Sequence, residues 1–101
     1  MSRLVSVSSG TTLLIGGPAQ VYSIQGAATQ GGANPTTLAL HDCAATADVA
    51  AANLVHTFSL PRTTGETAQF SYTFSGALFP AGLVSVVALN SNTADIVIEL
   101  D

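Results

Sequence analysis

Apolar and polar residues alternate with a period of two along most of this chain, and this pattern limits the folds open to it. The clearest segment is residues 68–74, in which Ala68, Phe70, Tyr72 and Phe74 share one side and the residues between them are polar. Successive side chains of a β-strand point to opposite faces, so this spacing predicts a strand with one face in a core. Glycine, proline or asparagine interrupts the pattern every ~8–12 residues, which is typical of an all-β sandwich or barrel.

The pattern predicts one domain over residues 1–101, an all-β, eight-stranded antiparallel β-sandwich of jelly-roll type. The predicted strands cover residues 3–8, 11–15, 19–26, 36–42, 53–60, 68–74, 83–89 and 94–100. The glycine-rich residues 26–32 are predicted to be a flexible connection, and residues 43–52 a long loop with room for one helical turn. Asn90, Ser91 and Asn92 predict a short hairpin connection between the last two strands.

Charged residues are scarce in this sequence. They make up 8 % of the chain, while hydrophobic residues make up 48 %; a typical globular domain has about 25 % charged residues. Arg3 and Arg62 are the only Lys or Arg residues, and the net charge is −4. Binding to nucleic acid or to an anionic membrane needs clusters of Lys and Arg, so both are excluded as direct partners.

The N-terminus and the cysteine content bear on where the chain is made. No stretch approaches ~18 consecutive apolar residues, and the N-terminus alternates between apolar residues and serine, so we expect neither a transmembrane helix nor a signal peptide. Cys43 is the single cysteine and cannot form an internal disulfide. The sequence therefore predicts synthesis in a reducing, cytosol-like compartment.

The shortage of charge also predicts a subunit of an assembly. A small soluble domain usually carries about 25–35 % charged residues on its surface, partly to prevent strand edges from associating. Residues 4–39 of this chain carry none. We therefore expect copies of itself, or a larger partner, to cover much of the surface. The alternative is a monomer kept soluble by Ser, Thr, Asn and Gln.

No group of residues has the spacing of an active site or a metal site, so we predict neither an enzyme nor a cofactor. His41, Asp42 and Cys43 are residue types of a nucleophilic triad, but neighbours in a strand point to opposite faces. Asp42 is expected to accept hydrogen bonds from the backbone N–H groups that follow it. A metal site that includes His41 and His56 would need further ligands at a recognisable spacing. The sequence has no such spacing. His56 is interpreted as a core or interface histidine beside Phe58.

The sequence bears on two further binding functions, phosphate binding and carbohydrate binding. The glycine-rich residues 26–32 lack the Gly-Lys-Ser/Thr ending of a phosphate-binding loop. Asp95, Glu99 and Asp101 are predicted to point outward from the last strand, where they discourage unwanted strand pairing. A carbohydrate-binding β-sandwich stays open as an alternative. Sugar sites usually present exposed aromatic rings, and only Tyr22 and Phe79 lie outside the predicted core.

Several segments carry a resemblance to a known group of proteins. They are Val21-Tyr22-Ser23-Ile24, Leu38-Ala39-Leu40-His41-Asp42, residues 54–61, Phe79-Pro80-Ala81-Gly82-Leu83-Val84-Ser85-Val86 and Ile96-Val97-Ile98-Glu99-Leu100. Their order resembles small virion proteins of tailed bacteriophages, above all the head decoration or cement proteins of cyanophages and related phages. In such proteins a Leu-Tyr-Asp strand end and a Phe-x-x-Gly-Leu start of the penultimate strand recur. This chain departs from the first, with Leu40-His41-Asp42.

The resemblance implies a jelly-roll subunit, forming a trimer, that lies on the capsid surface of the virion after synthesis in the host cytoplasm. It implies binding to the major capsid protein and no catalytic residues. A phage tail, fibre or baseplate subunit is the nearest alternative. We further predict that residues 2–8 pair with a neighbouring chain as an added strand, and that both arginines form interface salt bridges. The predicted interface residues are Arg3, Val5, Val7, Tyr22, Arg62 and Phe79.

Overall fold

Two antiparallel sheets pack face to face in the computed structural model, which describes residues 2–101. The strands are β1 (Arg3–Val7), β2 (Gly10–Ile15), β3 (Ala19–Gln30), β4 (Thr37–His41), β5 (Leu54–Ser59), β6 (Thr63–Thr64), β7 (Thr67–Phe79), β8 (Leu83–Ala88) and β9 (Thr93–Leu100). The long loop between β4 and β5 contains two single turns of 3-10 helix, Thr46–Asp48 and Ala51–Asn53.

The order of the strands is that of a jelly roll. One sheet runs β1-β9-β3, with β7 on the other side of β3 and the short β6 parallel to the end of β3. The other sheet runs β2-β8-β4-β5. The chain therefore changes sheets between β1 and β2, β2 and β3, β3 and β4, β5 and β6, β7 and β8, and β8 and β9. This arrangement confirms the predicted fold class.

The two sheets differ in charge, and we name them accordingly. No strand of the β2-β8-β4-β5 sheet contains Asp, Glu, Lys or Arg, and we call it the neutral sheet. The other sheet carries Arg3, Asp95 and Glu99 in its strands, and we call it the charged sheet.

The core lies between the inner faces of the two sheets, where alternate residues of strands such as β4 and β9 are buried. The largest fully buried side chains of this core are Phe79, Ile24, Leu38, Leu60, Leu83, Ile98, Leu100 and Val21. On β9, Ile96, Ile98 and Leu100 are buried while Asp95 is exposed, as the alternation predicts. On β7, Phe70 is buried, and Tyr72 and Phe74 pack against the core.

β3 and β7 are longer than the sequence predicts. β3 continues through Gly26 to Gln30, and β7 continues through Gly76 to Phe79. A Cβ atom on Gly26 would collide with the carbonyl oxygen of Asp95 in the neighbouring β9. Gly26 therefore permits close approach of two backbones within the sheet, and does not mark the end of a strand.

The predicted hairpin connection at Asn90, Ser91 and Asn92 is wrong, because β8 and β9 belong to different sheets. Asn90 and Ser91 have φ values of 55° and 68°, and the N–H of Asn92 donates to the carbonyl oxygen of Leu89 at 3.1 Å. This tight turn carries the chain from one sheet to the other. The turn is as short as a hairpin connection, which is why the sequence predicts one. However, β8 and β9 pair with other strands and not with each other.

The prediction that residues 26–32 form a flexible connection is also wrong, because Asn92 holds the end of this segment. Asn92 is 4 % exposed, and its Oδ1 accepts hydrogen bonds from the N–H groups of Gly31 and Gly32 at 2.9 and 3.1 Å. Its Nδ2 donates to the carbonyl oxygens of Asn34 and Leu89 at 2.7 and 2.9 Å. One buried amide thus fixes the connection between β3 and β4 to the turn before β9.

Candidate interaction surface

His41, Asp42 and Cys43 point to three different places, as expected for successive residues at a strand end. His41 Nδ1 lies 2.8 Å from Oδ1 of Asn53, which belongs to the loop before β5. Asp42 Oδ1 accepts a hydrogen bond from the N–H of Ala81 at 2.8 Å. Cys43 is buried, and its Sγ donates to a nearby carbonyl oxygen. Each side chain therefore has a local structural partner.

The sequence predicted that Asp42 accepts hydrogen bonds from the backbone N–H groups that follow it. In the structure Asp42 instead accepts them from the turn between β7 and β8. Besides Ala81, it accepts a hydrogen bond from the N–H of Gly82 at 3.4 Å. A Cβ atom on Gly82 would lie 2.5 Å from the carbonyl oxygen of Cys43 and 2.8 Å from that of Ile15. Asp42 and the Ala81-Gly82 turn belong to two of the segments that carry the phage resemblance. These two segments therefore contact each other in the structure.

The histidines do not share a site. His41 is buried on the outer side of β4, whereas His56 faces the inner side of β5, opposite the buried Leu40. The ring of His56 is exposed and packs edge-on against Phe58, with centroids 4.6 Å apart. His56 is therefore not a core residue. Within residues 2–101, no three His, Cys, Asp or Glu residues lie close enough to hold a metal ion.

Four of the predicted interface residues lie at or near the surface. Arg3 is exposed on β1, and Val5 and Val7 are half-buried because they pack against the core. Tyr22 is half-buried, and its hydroxyl donates to Oε1 of Gln20. Within residues 2–101, β1 pairs with β9 alone, so its other edge is open, as pairing with a neighbouring chain through residues 2–8 would require.

Phe79 is misplaced in the sequence prediction. It is 1 % exposed and belongs to the core, whereas its neighbour Leu78 is 66 % exposed. The pairing of β3 with β7 is irregular around Gly76, which has a φ of 88°. This bulge shifts the alternation, so that Ala77 and Phe79 face inward. In this fold Phe79 has no surface to offer a partner or a sugar.

Arg62 is engaged within the chain. Its Nη1 donates to the carbonyl oxygen of Gly32 at 2.6 Å, and its Nη2 donates to that of Ala33 at 2.8 Å. The planar guanidinium group fits two neighbouring carbonyl oxygens, which a lysine could not do. Within the chain Arg62 therefore has a structural role at the connection between β3 and β4, and its interface salt bridge stays a prediction.

An apolar groove opens between β5 and β7, the edges of the two sheets on one side of the sandwich. Its volume is about 250 Å³, and its lining residues are Val21, Leu40, Val55, His56, Phe58, Phe74, Ala77 and Phe79. The aromatic rings beside it are packed together, with centroids of Phe58 and Tyr72 5.4 Å apart and of Phe58 and Phe74 6.0 Å apart. The groove is therefore a preformed apolar surface beside a sheet edge.

Part of the exposed apolar surface lies next to this groove. The exposed large hydrophobic residues are Leu4, Leu13, Leu54, Val55 and Leu78. Two of them, Leu54 and Val55, are consecutive in β5, and five of the six residues of that strand are exposed. The sequence did not predict this surface. It predicted that β5 is a strand of the sandwich, but it did not show that β5 lies at the edge of a sheet.

A second depression, of about 600 Å³, lies on the outer face of the charged sheet. Its polar lining includes Gln25, Gln69, Ser71 and Asp95. The aromatic residue beside it, Phe70, is buried. Amide, hydroxyl and carboxylate groups can bind sugar hydroxyls, but no exposed ring lines the depression to stack on a sugar face.

None of the helices in residues 2–101 is long and apolar enough to cross a membrane. No family model, curated protein or solved structure matches this chain. The function proposed below therefore rests on its structure and on the sequence resemblance.

Proposed function

We propose that this protein is a capsid decoration, or cement, subunit of a tailed bacteriophage. It binds the major capsid protein and other copies of itself on the outside of the assembled head. Its role is structural and involves no catalysis. It is made in the host cytoplasm and works in the virion.

The observation that carries this proposal is the neutral sheet. Its four strands contain no charged residue, and Leu13, Leu54 and Val55 are exposed on them. Burying a charged group without a partner is costly, so a surface without charge loses little when another protein covers it. The jelly-roll fold, common among viral structural proteins, supports the same proposal.

Decoration by such a subunit acts through binding energy. A protein that contacts several shell subunits at once gains effective concentration at each contact from the others. Because it binds the assembled shell and not the separated subunits, it shifts the equilibrium toward the closed shell. The contact between Asp42 and the Ala81-Gly82 turn makes the end of the sandwich rigid, which lowers the ordering cost of binding.

The test uses shells assembled from the major capsid protein of the phage that encodes this chain, with tail tubes from the same phage as the comparison. We expect saturable co-sedimentation with shells and a higher temperature of shell disruption. Binding to tail tubes alone would favour the tail, fibre or baseplate alternative. Binding to neither would refute the proposal. The resemblance implies three copies per oligomer, which light scattering on the purified chain checks.

A carbohydrate-binding module is the second candidate, favoured by the polar depression on the charged sheet. Gln25, Gln69 and Asp95 would supply hydrogen bonds to a sugar. A glycan array separates the two candidates: binding that is lost in Gln69→Ala, while binding to shells is unchanged, would assign the depression to sugars.

A further inference from the structure

β5 is the least protected of the sheet edges. Proteins usually block an exposed edge strand with lysine, proline, a bulge or a covering segment. β5 reads Leu-Val-His-Thr-Phe-Ser, and it pairs only with β4. Its register with β4 is interrupted near Leu54 and is regular from residue 56 to residue 59. The outer side of this regular part has no pairing strand within residues 2–101.

The other three edges are each protected in some way. β1 carries Arg3, and Ser2 next to it donates to Glu99. The pairing of β7 with β3 is irregular around Gly76, and Glu66 precedes β7. The register of β2 with β8 is irregular after Leu13, and the first 3-10 turn packs near it. β5 is therefore the edge best suited to receive another strand.

We propose that β5 pairs with β5 of a second copy, antiparallel, around a two-fold axis at Thr57. The two neutral sheets then join into one continuous sheet of eight strands. This contact does not depend on the proposed role at the capsid, because it requires only two copies of this chain.

The register follows from which side each residue faces. His56 and Phe58 pair with the buried Leu40 and Leu38 of β4 and so face inward, while Thr57 faces outward. Residues directly opposite each other in an antiparallel pair lie on the same face of the sheet. With Thr57 opposite Thr57 of the second copy, His56 lies opposite Phe58 of the second copy, and both strands keep their inner faces inward.

Charge selects a second copy as the occupant. A charged strand pairing here would lose hydration and find no opposite charge on β5. Each copy has a net charge of −4, so two copies repel unless they meet where the charges are absent. The strands of the neutral sheet contain none of the acids, so a contact through β5 keeps like charges out of the interface.

The apolar groove adds a second favourable contribution. It is open at β5, where Val55, His56 and Phe58 form part of its lining. Strand pairing brings the grooves of the two copies side by side across the axis. The exposed side chains of Val55 and His56 in this lining are then removed from water, along with that of Leu54.

A cysteine at the axis tests the register directly. Opposed Cα atoms in an antiparallel pair lie about 4.5–5.5 Å apart, within the range of a disulfide. Under mild oxidation we expect Thr57→Cys to form a covalent dimer. The matched control is Thr11→Cys, on the exposed outer side of β2. The native chain is the background, since its Cys43 is buried. Cross-linking of Thr57→Cys no faster than of Thr11→Cys would overturn the proposal.

Sizing of the native chain and of charged variants completes the test. Light scattering should give an even number of copies: two for the β5 contact alone, which is twice the chain mass of 10.2 kDa, or six where the trimer implied by the resemblance also forms. Thr57→Lys places like charges opposite each other at the axis and should abolish the dimer peak, whereas Thr11→Lys should retain it. A monomer, or a trimer without the Thr57→Cys cross-link, would refute the two-fold contact. Hydrogen exchange on the native chain adds an independent measure, because β5 amides should gain protection as protein concentration rises.

Discussion

The two sheets of this jelly roll have the same number of main strands but opposite surface chemistry. The charged sheet holds the long β3 and β7 and carries Arg3, Asp95 and Glu99 among its strands. The strands of the neutral sheet are five or six residues long, and their polar residues are Ser, Thr and His. Both sheets contribute residues to the core, so the difference concerns the outside of the molecule.

The contrast between the two sheets separates the residues that are needed for folding from those that control association. The alternation of apolar and polar residues along the strands is enough to form the core. A sheet needs no charged residues for this purpose. Charges on an outer face or an edge mainly prevent contact with other strands. The charged sheet retains this protection, and the neutral sheet lacks it. We therefore expect substitutions in the core to affect the stability of either sheet, and substitutions outside the core to affect association only through the neutral sheet.

The largest effect should come from Phe79→Ala, at the end of β7. Removing this fully buried ring leaves a cavity, and we expect the free energy of unfolding to fall by about 3–5 kcal/mol. Leu78→Ala is the matched control on the next residue, which is 66 % exposed, and it should change stability by less than about 0.5 kcal/mol. Urea unfolding measures both. Similar effects for the two variants would mean that Phe79 is not a core residue.

Asn92→Ala should have the next largest effect, because Asn92 joins the two sheets where the chain crosses between them. The substitution leaves the N–H groups of Gly31 and Gly32 and nearby carbonyl oxygens without this partner. We expect a loss of about 2–3 kcal/mol in thermal or urea unfolding. Asn34→Ala, at an exposed side chain in the same connection, serves as the control. A loss of similar size there would contradict this assignment.

Ser85→Ala should stabilise the neutral sheet. The hydroxyl of Ser85 is fully buried in β8 and has no hydrogen-bond partner among residues 2–101. Removing it should raise the free energy of unfolding by up to about 1 kcal/mol. Thr36→Val is the matched comparison, since its buried hydroxyl donates to the carbonyl oxygen of Leu89 at 2.8 Å, and it should destabilise by about 1 kcal/mol. A loss of stability in Ser85→Ala would show that the hydroxyl has a partner.

The smallest effect on stability should come from lysine on the outer faces. Val86 and Val97 are half-buried, in β8 and β9 respectively, so each sheet has a matched position. Val86→Lys and Val97→Lys should each change stability by less than about 1 kcal/mol. Val86→Lys should weaken binding to phage shells by about tenfold or more, because it adds an unpaired charge to the proposed binding surface. Equal binding by both variants would remove the functional contrast between the sheets.

The sequence predicted the strands well where the alternation is unbroken. In β9 the inward and outward residues are those expected, and the eight longer strands lie close to the predicted segments. The prediction failed where the alternation changes phase. The bulge at Gly76 directs the side chain of Phe79 toward the core. Nothing in the residues near Gly76 distinguishes a bulge from the end of a strand.

The candidate interaction surface was only partly predictable. The sequence placed His56 and Phe58 on one side of a strand, and this agrees with the groove. It did not show that β5 is an edge, because edge position depends on the order of the other strands. It also assigned Arg62 to an interface, although the carbonyl oxygens that bind it lie about thirty residues away in sequence.

The sequence by itself determined the strand content, the residues that face the core and the scarcity of charge, because alternation and composition are properties of short segments. The tertiary structure decided the order of the strands, the crossing between β8 and β9 and the exposure of β5. These depend on contacts between residues far apart in the chain, which no local pattern specifies. The shortage of charge is therefore visible in the sequence, but only the fold gathers it into one sheet with an open edge.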